Sequence, residues 1–217
     1  MFYPVRRAFG ALSVVSLLSA INVPLTLASE SPRLIVQITV DALRGDLPNR
    51  YLAEMGDDGF RWLLDKGIHY SDAHYLHANT ETIVGHSSLS TGTVPAAHGM
   101  IGNIWFDRGL GRTIYNIEDP DYVLLTAGAS VDSSTEIDPT QRAAKVEGRS
   151  PRAILSSTFS DELTIATQGR AKVFGVSVKD RGAVAMAGSR ERFAIATQQT
   201  HGRHGHGAGA ASDLHFF

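Results

Sequence analysis

Arg33-Leu34-Ile35-Val36-Gln37-Ile38-Thr39-Val40 is a nearly continuous β-branched and apolar run. So little alternation predicts a strand buried on both faces, as in a parallel sheet. The run ends at Asp41, followed by Ala42-Leu43-Arg44-Gly45-Asp46. In open α/β sheets, ligands bind just outside the carboxyl ends of strands. Asp41 is therefore a candidate metal ligand or catalytic acid; an Asp that caps the next turn is the competing reading. Ala171 to Val178 reads as a second buried strand. It ends in Lys179-Asp180-Arg181-Gly182. Two cations at a strand's carboxyl end suit a phosphate, Arg as a planar fork and Lys as a point charge, unless they belong to a solvated loop.

Between these strands lies Asn79-Thr80-Glu81-Thr82-Ile83-Val84-Gly85-His86-Ser87-Ser88-Leu89-Ser90-Thr91-Gly92. It starts in polar loop residues and runs into a small-residue segment that reads as a helix. Thr82 falls at or near the helix N-terminus, where unpaired N–H groups and the dipole favour an anion. A hydroxyl there is a candidate nucleophile if a metal lowers its pKa. Taken alone, the stretch favours Thr82 as an N-cap.

Residues 48–66 carry Leu52, Met55, Phe60, Leu63 and Leu64 at spacings for one or two amphipathic helices, broken near Gly56-Asp57-Asp58-Gly59. Ile68 to Leu76 reads as a strand. His69, His74 and His77 lie close in sequence, but their spacing defines no zinc site, and solvated or packed histidines are expected. Pro95 and Gly99 mark a turn before Asn103, an amide for a phosphoryl oxygen or a turn asparagine. Glu118 to Thr140 looks like surface excursion. A helix is expected to begin at Ser150-Pro151, with helical spacing over Ala153 to Thr167.

The chain has 217 residues, 43% of them hydrophobic and 19% charged, which fits one α/β domain with a real core. A formal net charge of -2 gives no bulk pull toward nucleic acid. The absence of cysteine excludes disulfides, thiolate zinc sites and a cysteine nucleophile. Residues 1–28 read as a secretory signal peptide: Arg6 and Arg7, then a short apolar stretch from Ala8 to Ala20, then Thr26-Leu27-Ala28 before the cut. The apolar stretch is too short for a comfortable span. The mature protein is expected to be periplasmic, with no stable membrane association after cleavage.

These motifs occur in order: the strand ending in Asp41, Thr82-x-x-Gly-His86, Ser90-Thr91-Gly92, Pro95-x-x-His98-Gly99, Asn103, Ser150-Pro151, Asp161-Glu162-Leu163 and Val178-Lys179-Asp180-Arg181-Gly182. Together they resemble the type I phosphodiesterase/nucleotide pyrophosphatase branch of the alkaline phosphatase superfamily, nearest to its periplasmic threonine-nucleophile alkaline phosphatases. The resemblance implies an α/β fold, part of a doubly wound three-layer sandwich with a mainly parallel sheet. It implies two zinc ions at the strands' carboxyl ends, with Asp41 resembling a ligand of the first and Thr82 the nucleophile that also touches it. Asn103 resembles the amide that holds a phosphoryl oxygen, and Lys179 with Arg181 the pair that clamps the others. That basic pair favours small phosphate monoesters over diesters. The implied chemistry is in-line displacement through a phosphothreonine. A phosphodiesterase or nucleotide pyrophosphatase is the alternative, and so is an inactive fragment with at most weak phosphate or metal binding.

The resemblance covers roughly residues 32–188 and then stops, so residues 29–188 are expected to be the N-terminal part of an alkaline-phosphatase-like catalytic domain. The further zinc ligands of the family are not recognisable in the chain. Residues 189–217 form a His/Gly/Ala-rich segment with no strand or helix period past Thr197, which is expected to be a disordered tail. A frameshifted or truncated reading frame is one account of it. A tail that binds metal weakly through His201, His204 and His206 is the other.

Overall fold

The computed structural model describes residues 32–122, 125, 138–189, 192–201 and 210–216. The signal-peptide stretch and most of the Glu118–Thr140 excursion lie outside the described residues. The chain divides into two units, Met1–Ile38 and Thr39–Phe217.

Of the first unit, residues 32–38 are described. They are extended backbone outside any named strand, with Leu34 78%, Val36 67% and Ile38 79% exposed. The buried strand expected at Arg33–Val40 is thus not formed. A β-branched run fits a pleated, covered surface, and without that cover its intrinsic preference is weak.

In the second unit, α1 (Leu47–Arg50) and α2 (Phe60–Lys66) flank a 3₁₀ turn at Leu52–Glu54. The break between them sits at Gly59, whose φ of 63° suits glycine. This matches the expected interruption, although Phe60 and Leu63 stay exposed. The strand expected over Ile68–Leu76 is absent. Ser71 and Asp72 form a turn, and Asp72 bonds His74 at 2.8 Å. Short polar side chains that bond locally favour turns over ladders.

Helix α3 (Thr82–Thr91) is the buried centre of this unit. It ends at Gly92 in the left-handed conformation. The short α4 (Pro95–His98) follows, closed by Gly99 with φ 81°. A hairpin of β1 (Ile104–Asp107) and β2 (Arg112–Tyr115) comes next. Pro151 accepts from Ile154 N in a turn at 2.8 Å, so the helix does not begin there. Instead α5 (Phe159–Ala166) starts eight residues later, at a capping box: Thr158 Oγ1 accepts from Asp161 N and Asp161 Oδ2 accepts from Thr158 N.

The strand β3 (Val173–Ser177) leads into α6 (Asp180–Ala187) and on to β4 (Arg192–His201), which pairs with β3 in parallel. This is a strand–helix–strand crossover. β5 (Ala210–Phe216) then pairs with β4 antiparallel. Both β4 and β5 fall in the segment expected to be a disordered tail. Among the described residues the sheet is parallel at one interface and antiparallel at the other, so the expected parallel sheet is present in part. Helix α6 lies close on β3: a Cβ built on Gly175 would stand 2.4 Å from the Ala183 carbonyl oxygen. Ile83, Val84, Met100, Tyr115, Ile117, Val173 and the alanines of α6 form the core.

Gly188 closes α6 with φ 80°, and its added Cβ would lie 2.3 Å from Thr158 Oγ1 and 2.9 Å from Asp161 Cγ. Backbone strain and a clash with the capping box then coincide. Gly188→Ala is expected to cost about 2–3 kcal/mol, read as a lower urea midpoint. An unchanged midpoint would contradict this placement of the α6 exit.

Candidate active site

Thr82 is the first helical residue of α3, and Glu81 is the N-cap without a side-chain cap bond. The capping role that the sequence favoured for Thr82 is therefore taken elsewhere. Asn103 Oδ1 accepts from Ile83 N at 3.1 Å, so a residue from a distant loop caps the helix. That bond also fixes which end of the amide faces away: Nδ2, with two N–H donors. Asn103 is pinned further by its own N–H on Glu81 Oε2 at 2.6 Å.

The freed Thr82 hydroxyl donates to Asp41 Oδ2 at 3.4 Å. Lys179 Nζ meets the same oxygen at 3.9 Å. Thr82 and Lys179, from two distant parts of the chain, thus converge on one carboxylate oxygen of Asp41. Asp41, Thr82 and His86 line a cleft of about 520 Å³, with Arg44, Tyr75 and Glu81. His86 stands one turn on from Thr82, and its Nδ1 bonds the Thr82 carbonyl at 2.8 Å.

Lys179 is the N-cap of α6, and Arg181 lies in its first turn. They are not a solvated loop: Arg181 is 2% exposed. Arg181 Nη1 donates to Tyr115 Oη at 3.2 Å and Nη2 to Asp138 Oδ2 at 2.8 Å. Tyr115 in turn donates to Asp180, whose other oxygen accepts from Arg149 Nε at 2.8 Å. Burial, then the Asp180 charge, drives the Tyr115 phenol well above its usual range, so it stays a donor. Its oxygen is then the acceptor for Arg181.

Tyr115, Arg149 and Asp138 are members of this site that sequence reasoning missed. Asp138-Pro139-Thr140 does carry a local signal: Thr140 bonds Asp138 Oδ1 through N at 2.9 Å and Oγ1 at 2.6 Å. Burial alone would raise the Asp138 carboxyl. The Thr140 bond and the Arg181 charge outweigh it and hold Asp138 well below the carboxylate range.

His74 is exposed, whereas His77 joins Ser88 at 2.9 Å, and Ser88 joins the buried His98 at 3.0 Å. Among the described residues, no group of three or more His, Asp or Glu side chains stands ready for a metal. His204 and His206 lie outside the described residues. Zinc takes four ligands. Asp41 and Thr82 supply two oxygens, so the described residues do not make up a zinc site. Among the described residues no helix is long and apolar enough to cross a membrane.

A parallel crossover packs on a small-residue helix, with the Thr82 hydroxyl at the start of α3 and Lys179 and Arg181 just past the end of β3, in an α/β arrangement. The family model for type I phosphodiesterase/nucleotide pyrophosphatase matches residues 35–155. The chain belongs to that family. It is 34% identical over 203 residues to alkaline phosphatase PafA of Elizabethkingia meningoseptica, covering 94% of this chain and 34% of the relative. Against alkaline phosphatase PhoV of Synechococcus elongatus it is 38% identical over 157 residues, covering 72% of this chain and 26% of the relative. The crystal structure of wild-type PafA superposes with a TM-score of 0.62 at 32% identity, covering 74% of this chain and 28% of that one. A PafA variant with one threonine, one asparagine, one lysine and one arginine substituted gives 0.63 at 30% identity, covering 75% and 29%. The chain spans about a third or less of the length of these relatives. The α/β fold and the alkaline phosphatase branch expected from the motifs are those of these relatives.

Proposed function

We propose that this chain carries the phosphate-facing part of a phosphomonoesterase site. The observation that carries the reading is the meeting of Thr82 Oγ1 and Lys179 Nζ on Asp41 Oδ2. The residue types agree with those substituted in the PafA variant. Its threonine and asparagine are separated by the same 21 positions as Thr82 and Asn103, and its lysine and arginine by the same two positions as Lys179 and Arg181.

Thr82 is the nucleophile in this reading. Its proton faces Asp41, which leaves a lone pair for phosphorus. The Thr82 proton passes to Asp41 as the Thr82 Oγ–phosphorus bond forms in line and the ester P–O bond breaks; the leaving alkoxide takes a proton from water, and a second water then cleaves the phosphothreonine, releasing phosphate and restoring the hydroxyl. Asn103 Nδ2, Lys179 and Arg181 compensate charge on the other phosphoryl oxygens. Of the two zinc ions that the resemblance implies, the first would meet Asp41 and Thr82. The substrate is a small phosphorylated molecule. A monoester carries one more charge than a diester, and Lys179 with Arg181 favours it. In this reading residues 1–28 are a signal peptide for periplasmic export and 29–188 are the catalytic part, whose sheet continues through β4 into the 189–217 segment.

The test compares monoester and diester hydrolysis by the full chain and by Lys179→Ala. A charge-assisted contact is worth about 1.5–3 kcal/mol. The monoester kcat/KM should fall about 10–100-fold in the variant, with the diester rate changed less. Equal losses on both substrates would favour the phosphodiesterase alternative. No hydrolysis by the unaltered chain would leave weak phosphate binding as its activity.

A further inference from the structure

Arg181 Nη2 and Lys179 Nζ share one carboxylate oxygen. Asp138 Oδ2 sits on Nη2 at 2.8 Å and lies 3.6 Å from Lys179 Nζ. Arg181 Nε is buried, and among the described residues it has no hydrogen-bond partner. The bidentate edge is thus half-filled. A phosphate dianion offers two oxygens at the spacing of that edge, and a single carboxylate oxygen does not.

Asp138 is held for this position. Its Oδ1 is anchored by Thr140 N and Oγ1, and by Gln141 N at 3.4 Å, at the start of the 3₁₀ turn Gln141–Ala143. Only Oδ2 is turned to the cations. Tyr115 keeps Nη1, and it is fully buried, whereas Asp138 keeps some solvent access.

We propose that Asp138 is an internal counter-anion: its Oδ2 occupies the place on Lys179 and Arg181 that a phosphoryl oxygen of a dianionic ligand takes, and the ligand must compete with it. The inference rests on the phosphate-site reading above. It makes Asp138 a residue that sets how many negative charges the site accepts. With Asp138 in place, part of the pair's charge is spent on the protein itself, and dianions lose more from this than monoanions.

The experiment titrates inorganic phosphate and dimethyl phosphate into the full chain, Asp138→Asn, Asp138→Ala and Lys179→Ala, by calorimetry. Asp138→Asn keeps an oxygen for Thr140 and removes the charge. It should tighten phosphate by about tenfold or more and dimethyl phosphate by less, because a unit charge a few ångströms away outweighs one tenfold step. Asp138→Ala should tighten phosphate as well. Unchanged or weaker phosphate binding in both folded variants overturns the proposal and makes Asp138 a support for Arg181. Phosphate binding that is indifferent to Lys179→Ala, or absent from every chain, overturns the site reading together with it.

Discussion

Replacing Arg149 with alanine is expected to cost the fold about 3–5 kcal/mol, the price of leaving a buried charge without its partner. Arg149 is fully buried at its side chain, and Asp180 is 2% exposed. Its Nε holds Asp180 at 2.8 Å, and Nη1 holds the carbonyls of Val146, Glu147 and Gly148 at 2.7, 3.2 and 2.9 Å. The guanidinium also stands 5.3 Å from the Tyr115 ring centroid. Alanine removes all of these at once. Asp180, the N-terminal residue of α6, then faces Tyr115 with one oxygen unpaired. Lysine is no substitute, because one ammonium cannot serve a carboxylate and three carbonyls in a fork. Arg152 is the control: its side chain is 71% exposed, and its pairs with Asp119 and Asp121 are 3.7 and 3.3 Å long. Arg152→Ala should shift stability by no more than about 0.5 kcal/mol. Urea unfolding of both variants decides the matter, and equal midpoints would show that the Arg149–Asp180 pair does not hold the core.

The contrast between these arginines marks what the sequence could tell. Helix α3 was legible because its signals are local: polar residues before Thr82, small residues within, and Gly92 in the left-handed region at its end. β3 was legible as a strand from its apolar run, although Phe174 at 64% and Val176 at 73% stay exposed where burial was expected, and the helix α6 after it was not expected. The network around Arg181 was not, since its bonds join residues 65, 31 and 43 positions apart. No periodicity encodes such a pairing. Two apolar runs misled in the other direction. Leu34–Val40 and Ile68–Leu76 have the composition of strands, yet a strand exists only where a ladder and a cover are supplied. At Ile68–Leu76 the Asp72 turn competes as well. The start of α5 shows the same preference for local chemistry, since the Thr158–Asp161 box prevailed over Pro151.

Phosphate monoester hydrolysis should disappear in Thr82→Ala and survive in Thr82→Ser. Loss of a nucleophile costs about a thousandfold or more. The alanine chain should nonetheless be as stable as its parent. Thr82 is not the N-cap of α3, and its hydroxyl serves one long bond to Asp41 at 3.4 Å. Alanine is also the better helix former by a few tenths of a kcal/mol. Activity and stability are therefore separable at this position, which they are not at Asn103, where the side chain caps the helix through Ile83 N. Phosphate should still bind the alanine chain, because Lys179, Arg181 and Asn103 Nδ2 are untouched. Serine keeps the attacking oxygen and loses only the γ-methyl, so its rate should stay within about tenfold of threonine. The measurement is steady-state hydrolysis beside a urea midpoint for each chain. Hydrolysis that survives in the alanine variant would place the attacking group elsewhere, and His86, which lines the same cleft, would be the next residue to replace.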